Sequence, residues 1–424
     1  MKILCTADLH IGRRPSKLPP TSPGVAYSNT DVWGAIVDYA VREQVDAVAL
    51  CGDVVDRANR YFEAYGPLER GLRKLGDAGI HTVAVAGNHD FDVLPKLADS
   101  IDTGHFHLIG RNGTWETYTL YTADGSSGHF CGWSFPHATV PNSPVVPSDI
   151  PAAAGLTIGL LHCDIDQHPS HYAPVKRVEL QRLPFAFWVL GHLHKPTCYE
   201  VDGRPFALYP GSPQAMDPGE SGPHGPWLLD IRNGEPPELT HIPLSRVRYE
   251  IVEVDVTGIA DLDSLESHIP NAIKEQIDPI AADSDDLLCV SCRLRLSGRT
   301  SMHRQLDAMI DRLHDDFRLD LGKASVGIEK VVIQTRPDVD LENLSRGQDP
   351  PAVLARLILA LNADGTDADG LVQKTTQKLK DIHGAGQYQA IFGDTPPDAE
   401  SVREIVLRQA NAMLDALLDQ KKPV

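Results

Sequence analysis

Short polar motifs rich in Asp, Asn and His recur in the first half of this chain. In letters they are D-L-H, G-D-V-V-D, G-N-H-D, L-L-H and G-H-L-H, and their metal-binding members are Asp8, His10, Asp53, Asn88, His89, His162, His192 and His194. Oxygen and imidazole donors without a thiolate suit Mn²⁺, Mg²⁺, Fe or Zn²⁺. The D-x-H and H-x-H spacings place both side chains on one face of extended backbone. These residues therefore predict a metal site.

The number of carboxylates suggests the chemistry of that site. Asp53 is the natural residue to bridge two cations, and a pair about 3.5–4 Å apart can hold a hydroxide and both ends of an in-line phosphoryl displacement. Two divalent cations against Asp8, Asp53 and a bridging hydroxide leave a charge of about +1, which accepts a phosphate. Singly, most of these motifs are common in loops, and G-N-H-D is the most specific. Together they predict a binuclear phosphate site that requires its metals.

Each motif comes at the end of a short apolar run, as expected for a loop that follows a buried strand. The runs are Lys2–Ala7, Ala47–Cys51, Thr82–Ala86, Leu156–Leu161 and Phe185–Leu190. Helical patterns over Asp31–Arg42 and Phe62–Leu75 lie between strand runs, which is typical of sheets covered by helices. Carboxyl ends of such strands share one edge, so distant motifs can converge.

The pattern changes near Arg246. Alternating strand and helix signals cover Tyr249–Val256, Leu262–Ile277, Leu287–Leu296, His303–Phe317 and Val326–Thr335, and helical patterns follow at Pro351–Leu361, Leu371–Ile382 and Val402–Leu418. We expect domains at residues 1–245, 246–337 and 338–424. Ser401 and Glu404 predict a capping box for the last helix. Its apolar stripe fits either a local core or a face that binds a partner.

Composition narrows the class further. A formal net charge of −19 argues against a free-standing nucleic-acid binder but not against a metal-dependent nuclease. An odd set of seven cysteines, several in apolar runs, fits reduced thiols in a cytoplasmic protein. No apolar stretch approaches the roughly 20 residues that span a bilayer, and we expect neither a membrane segment nor a signal peptide.

The motifs together resemble the calcineurin-like metallophosphoesterases, and most closely the SbcD-type DNA repair nucleases with their YhaO-like members. Further likeness lies in Tyr172-Ala-Pro174, in Tyr209-Pro-Gly-Ser-Pro213 and in Gly219-Glu220. The resemblance implies an α/β fold, a two-sheet sandwich flanked by helices. A small α+β capping domain and a helical tail that docks on an SbcC-type ATPase would follow it.

The resemblance also implies roles for individual residues. One cation would be held by Asp8, His10, Asp53 and His194, and the other by Asp53, Asn88, His162 and His192. His89 would be the catalytic histidine, oriented by Asp56, although some repair nucleases carry His at the latter position. Arg57 completes a G-D-V-V-D-R element similar to that of Ser/Thr phosphoprotein phosphatases, but G-N-H-D disfavours that branch. Arg13 and Arg14 are either phosphate contacts or solvated loop charges.

The resulting hypothesis is a two-metal phosphodiesterase, with Mn²⁺ the preferred ion, that acts as a DNA exo- or endonuclease. It would work as a homodimer with an SbcC-like coiled-coil ATPase. An alternative keeps the chemistry and changes the substrate to nucleotides or other small phosphodiesters. A third hypothesis is a scaffold whose helical tail matters more than turnover.

Overall fold

The computed structural model describes the chain apart from residues 20–26, 57–60, 102, 123–124, 152–154, 168, 233, 304, 307–312, 314–316, 364–367, 384–397 and 421–424. It forms two compact units. The first comprises Met1–Val254, Ser267–Arg295 and Ala308–Val332, and the second Asp255–Glu266, Leu296–Asp307 and Ile333–Val424. Strands and helices are numbered below in chain order.

The first sheet of the first unit has four strands in parallel pairing and two more joined to them by antiparallel pairing. The parallel strands are β1 (Lys2–Thr6), β2 (Ala47–Cys51), β3 (His81–Val85) and β4 (Phe106–Leu108), and the others are β11 (Trp227–Asp230) and β12 (Glu238–His241). Their order is β12-β11-β1-β2-β3-β4. β2 is buried throughout, as a strand covered on both faces must be.

The second sheet also has six strands. They are β5 (Trp115–Tyr121), β6 (Ser127–Trp133), β7 (Thr157–His162), β8 (Phe187–Gly191), β9 (Thr197–Val201) and β10 (Arg204–Tyr209). Their order is β5-β6-β7-β8-β10-β9, in which β6, β7, β8 and β10 are parallel neighbours and β5 and β9 are antiparallel edges. Side chains such as Val83, Phe130 and Leu160 fill the space between the two sheets. Burial of each such side chain contributes about 1.5–3 kcal/mol to stability.

Helices cover the outer face of the first sheet. They include α1 (Asn29–Glu43), α2 (Tyr61–Asp77) and α3 (Leu94–Ser100), while α4 (Arg177–Gln181) is a short helix of the other half. α1 begins at a capping box in which Ser28 and Asp31 satisfy each other's backbone N–H. Trp33 of α1 is buried and donates to the Pro67 carbonyl of α2 at 3.1 Å. This contact joins the two helices.

A third sheet, most of whose residues belong to the first unit, has four strands. They are β13 (Val247–Asp255), β14 (Cys289–Ser297), β16 (Leu319–Leu321) and β17 (Ala324–Ile333), and the helix α5 (Leu262–Ala282) connects the first two. Their order is β13-β14-β17-β16. Side chains of β13 alternate between buried and more exposed positions along most of its length, the pattern of a sheet with one covered face.

The second unit is mainly helical. It contains a two-stranded pair, β15 (Arg299–Thr300) with β18 (Arg336–Pro337), and the helices α6 (Leu341–Ser345), α7 (Pro350–Asn362), α8 (Asp369–His383) and α9 (Ala399–Gln420). Arg299 holds α9 through an ion pair of 2.5 Å to Asp415. The capping prediction for the last helix was wrong by one turn. The helix starts at Ala399, so Ser401 already lies in its first turn. The capping side chain is that of Asp398, which accepts from the Ser401 N–H at 2.8 Å.

The predicted fold class is confirmed: two large sheets flanked by helices, followed by a further domain and a helical tail. Most of the predicted helix His303–Phe317 lies outside the described residues. The domain boundaries at 245 and 337 stay predictions. Within the described part of the chain, no helix has both the length and the apolar character needed to cross a membrane.

Candidate metal centre

The predicted ligands lie at one edge of the sandwich, where parallel strands of both sheets end. Asp8 follows β1, Asp53 follows β2 and Asn88 follows β3, while His162 ends β7 and His192 follows β8. Parallel pairing puts these carboxyl ends side by side, and the facing sheets bring the two sets together. The Asp8 side chain accepts from the His192 N–H at 3.2 and 3.1 Å, across 184 positions of sequence.

Four of the ligand residues have a left-handed backbone. The φ angles are 52° for Asp8, 44° for His10, 49° for Asp53 and 106° for His192. Non-glycine residues rarely adopt positive φ, and each such residue costs on the order of 1–3 kcal/mol unless its surroundings hold it. Here two backbone hydrogen bonds hold the first loop to the second: Asp8 N–H to Gly52 O at 3.0 Å and His10 N–H to Asp53 O at 2.9 Å. Strain concentrated at these positions is typical of a functional site.

Asp8, His10 and His194 form one side of the centre. Their ligand atoms lie within 4.8 Å of one another. The Nε2 atoms of His10 and His194 face each other at 3.2 Å. Two ring nitrogens at this distance are satisfied either by one shared proton or by a cation that takes both lone pairs. The adjacent buried Asp8 carboxylate favours the cation.

Asp53, Asn88 and His162 form the other side. The Nε2 atom of His162 lies 3.0 Å from Asn88 Oδ1 and 3.5 Å from Asp53 Oδ2. Asp53 is buried between the two sides, since it shares one trio of ligand atoms with Asp8 and His162 and another with His10 and His89. Burial opposes ionisation of Asp53, but the surrounding histidines outweigh it and lower its pKa. Asp53 is thus an ionised carboxylate in the position of a bridge.

His192 differs from the other predicted ligands. Among the described residues, it belongs to none of the trios of His, Cys, Asp and Glu atoms that lie within 4.8 Å. Its Nε2 atom lies 3.2 Å from Asp164 Oδ1, and its ring lies edge-on to that of His162 at 5.3 Å. If it binds a cation, it does so through Nδ1.

His89 and Asp56 are arranged as a pair. The Nδ1 atom of His89 lies 3.5 Å from Asp56 Oδ1, and His10 Nδ1 lies 3.4 Å from the same oxygen. The neighbouring rings of His10 first, and then of His89, hold the pKa of Asp56 far below its usual range. Asp56 is therefore an anion that lies between two histidines and faces the ring of His89 at the edge of the centre.

Carboxylates that the sequence did not assign brace the histidines from behind. Glu220 Oε1 accepts from His194 Nδ1 at 2.6 Å, and Asp164 faces His192. Burial lowers the pKa of His194, but the bond to Glu220 outweighs it and raises that pKa to about 9. For Asp164 a signal existed in its spacing of two from His162, and for Glu220 in the Gly219-Glu220 element. Nothing in the sequence said which histidine either one would meet.

Asp90, the last residue of G-N-H-D, ties two ligand loops together. Its buried carboxylate accepts from the N–H groups of Val54 at 2.7 Å, Val55 at 3.3 Å and Gly87 at 2.7 Å. Burial, with the Asp53 charge next, raises the pKa of Asp90 to about 7. We assign it to loop geometry rather than to metal binding.

The predicted phosphate contacts separate into three cases. Arg13 is half-buried and close enough to His194 for its charge to oppose protonation of that ring. Arg14 is exposed. Arg57 lies outside the described residues. Of the three, Arg13 is the one with a described interaction at the centre.

The donor set suits divalent cations. Asp and Asn oxygens and imidazole nitrogens converge, the carboxylates are buried, and each histidine has an acceptor near its far nitrogen, as ligating histidines usually do. For His162 the acceptor is the Cys51 carbonyl, 3.0 Å from Nδ1. The residues therefore fit a pair of cations bridged by Asp53.

A cavity of about 360 Å³ opens beside His89. Asn88 and His89 line one part of it, and Phe91 and Tyr172 supply aromatic faces. Its volume is that of a site for a small organic molecule.

Comparison with known proteins agrees with this geometry. Residues 1–196 match the model of the calcineurin-like phosphoesterases, and residues 249–336 match that of the middle domain of metallophosphoesterase YhaO. Residues 1–196 thus form a calcineurin-like metallophosphoesterase domain, and a domain similar to the middle domain of YhaO follows it.

Individual relatives are similar at modest identity. The uncharacterised metallophosphoesterase YhaO of Bacillus subtilis (strain 168) is 28% identical over 202 residues, which are 47% of this chain and 49% of YhaO. The DNA double-strand break repair protein Mre11 of Sulfolobus acidocaldarius is 25% identical over 68% of this chain and 74% of its own length. That of Sulfurisphaera tokodaii is 23% identical over 61% and 67%. The matched region thus spans about half of YhaO and some two thirds to three quarters of these Mre11 proteins.

Among solved structures, TT1561 of Thermus thermophilus superposes with a TM-score of 0.36 at 13% identity, covering 57% of this chain and 98% of TT1561. A dimetal phosphatase from Danio rerio superposes with a TM-score of 0.35 at 13% identity, over 57% of this chain and 99% of its own.

Proposed function

We propose that this protein is a two-metal phosphodiesterase that cleaves DNA. The observation that carries the proposal is the pair of His–carboxylate sides joined by the buried Asp53, with the His89–Asp56 pair at the edge. Asp8, His10, Asp53 and His194 would hold one cation, and Asp53, Asn88, His162 and His192 the other, with Mn²⁺ preferred. Two bound divalent cations would neutralise the phosphate and supply a nucleophile at neutral pH.

The side chains of the chain itself then orient the substrate and move protons. Asp56 faces Nδ1 of His89, so Nε2 is the nitrogen that we assign to the leaving sugar oxygen. A histidine placed there donates a proton to the leaving oxygen as the P–O bond breaks. Such general acid catalysis typically increases the rate about 10²–10⁴-fold. Arg13, half-buried near His194, is the described arginine that we assign to a substrate phosphate.

DNA as substrate is supported by the similarity to Mre11 repair proteins and is opposed by a net charge of −19. Neutralising DNA phosphates requires Lys and Arg, so a partner has to supply much of the binding surface. We assign that role to an SbcC-like coiled-coil ATPase that contacts the helical tail. Val353, Leu371, Ile382 and Met413 support this assignment, since they are exposed apolar side chains on those helices.

The deciding experiment incubates purified protein with end-labelled DNA, alone and with the candidate ATPase, in Mn²⁺, Mg²⁺ or EDTA. We expect cleavage with Mn²⁺ that EDTA abolishes and that the partner increases. A Met413→Glu protein should lose the increase and keep its own activity. Intact DNA under every condition would contradict the proposal. Light scattering on the same sample tests whether the protein is a homodimer.

We also propose a reducing, cytoplasmic location, because all seven cysteines are free thiols.

A second candidate function is hydrolysis of nucleotides or other small phosphodiesters, because the cavity beside His89 has the size of a mononucleotide site. A chromogenic diester distinguishes the two candidates. If the protein cleaves it rapidly and leaves DNA intact, the small-substrate candidate stands and the DNA proposal fails.

A further inference from the structure

Glu220 accepts hydrogen bonds through both of its carboxylate oxygens, next to the metal centre. Its Oε1 accepts from His194 Nδ1 at 2.6 Å, and its Oε2 accepts from Ser212 Oγ at 2.9 Å and from the Met216 N–H at 2.8 Å. The carboxylate is 11% exposed. Because both oxygens are held, Glu220 fixes the proton of His194 on Nδ1 and turns Nε2 towards His10.

The loop that carries Glu220 is held in turn by β13 of the third sheet. Tyr249 is buried there and pairs with Ser221 in an isolated bridge, and its carbonyl accepts from the Gly222 N–H at 3.1 Å. Ser221 and Gly222, which directly follow Glu220, are thereby fixed to the strand.

Tyr249 also holds the segment that leaves the first ligand loop. Its hydroxyl donates to the Ser16 carbonyl at 2.5 Å, and the Ser16 N–H donates to Met216 O at 2.8 Å. Ser16 lies six positions after His10, so one tyrosine of the third sheet is bonded to the segments on both halves of the Asp8–His10–His194 side.

Among the described residues, His162 on the other side of the centre is supported from within the sandwich. The far nitrogen of His162 meets the Cys51 carbonyl, which belongs to β2 inside the sandwich. Backbone inside a sheet is fixed by the sheet itself.

We infer that Glu220 is a positioning residue for His194, and that Tyr249 of β13 keeps it in place, so that the third sheet sets the cation affinity of the Asp8–His10–His194 side alone. The inference rests on the proposed metal centre. Residues behind a ligating histidine typically change metal affinity about 10–100-fold when replaced.

The test is Mn²⁺ binding to the full chain by calorimetry. Glu220→Gln keeps the size of the side chain and removes the acceptor charge, and it should weaken one of two sites about 10–100-fold while the other keeps its affinity. Tyr249→Phe keeps the ring and loses one hydrogen bond, and it should weaken the same site about 3-fold. Asp217→Asn is the matched control, because that carboxylate lies on the same loop and accepts from the Gly219 N–H.

Three results would overturn the inference: unchanged affinity in Glu220→Gln, equal weakening of both sites, or equal weakening in Asp217→Asn. Melting curves in EDTA show whether each variant folds. If Glu220→Gln does not fold, the Mn²⁺ affinity of Tyr249→Phe tests the inference instead. Wild-type protein that binds no Mn²⁺ would remove the metal centre and the proposed function with it. Wild-type binding with an unaffected Glu220→Gln would remove only this inference.

Discussion

Two groups of histidines lie at opposite ends of the same sandwich. One is the metal centre at the carboxyl ends of the strands, and the other is formed by His81, His105 and His107, of which His81 begins β3. In the second group the ring of His81 lies 4.6 Å from His105 and 5.4 Å from His107. Tyr118 stacks on His107 at 3.8 Å.

The two groups differ in their neighbours. Within the part of the chain that the structure describes, every trio of ligand atoms within 4.8 Å lies at the metal centre and includes Asp8 or Asp53. Burial and the two other histidines lower the pKa of His107 to about 4, whereas the bond to Glu220 raises that of His194 to about 9 against the effect of burial. Within the described residues, the histidine rings of the second group give no trio of ligand atoms this close, whereas each trio at the metal centre contains a carboxylate.

The largest effect is expected from removal of the central carboxylate. Asp53→Ala deletes the group shared by both sides, so Mn²⁺ binding should be lost and phosphodiester cleavage should fall by more than about 10³-fold. Calorimetry and a diester assay measure both. Asp46→Ala removes a carboxylate just before the other end of β2, where it accepts from the Lys2 N–H at 2.7 Å, and should change neither. Equal losses of Mn²⁺ binding and cleavage in the two variants would show that the carboxyl end of β2 is not special.

His89→Gln should separate catalysis from metal binding. The change removes the proton donor, so the rate should fall about 10²–10⁴-fold. The Mn²⁺ isotherm should keep two sites, since Asp8, Asp53 and the other ligands remain. His107→Gln serves as the control from the remote group and should retain full activity. A His89→Gln protein of wild-type rate would exclude His89 as the acid.

Gly191→Ala should destabilise the carboxyl-end edge. A Cβ at this position would lie 1.8 Å from Cys51 O and 2.6 Å from His162 Nδ1. Neither the strand backbone nor the buried ring can move away cheaply, so the free energy of unfolding should fall by about 3 kcal/mol. Denaturant titration measures it.

Gly34→Ala is the matched control, because a Cβ there meets nothing within 4 Å. Gly34 lies inside α1, where alanine is favoured by about 0.5–1 kcal/mol. The two glycine variants should therefore move stability in opposite directions. A loss in both would show that the crowding at Gly191 is not the cause.

The smallest effect is the pH dependence of the remote group. The folded pKa of His107, about 4, lies below the unfolded value of 6.5, so the unfolded chain takes up a proton first as the pH falls. Stability from this residue is full above pH 6.5 and is lost between 6.5 and 4. In EDTA, the melting temperature of His107→Gln should fall less over that window than that of wild type. Parallel curves would contradict this account.

The sequence predicted the candidate ligands of this centre better than the residues that hold those ligands in place. The strand Ala47–Cys51 has its predicted bounds, and the polar motifs come together because parallel strands share an edge. The contacts of Glu220 and Asp164 could not be predicted, since a loop carboxylate has no periodic signal that names its partner. The last helix began one turn early for a related reason: Asp398 and Ser401 are both good caps, and only geometry selects between them.

The central position of β1 has a consequence for how the protein is made. β1 pairs with β2 and with β11, so a strand made about 220 residues before β11 ends up in the middle of the first sheet. Asp8 and His10 meet His192 and His194 across 184 positions, a distance that a ribosome needs about 10–40 s to cover. Until then the nascent chain holds three of the four proposed ligands of each cation. Binding of the proposed cations would therefore be coupled to completion of the sandwich, and a chain released early would lack the proposed activity rather than display it out of place.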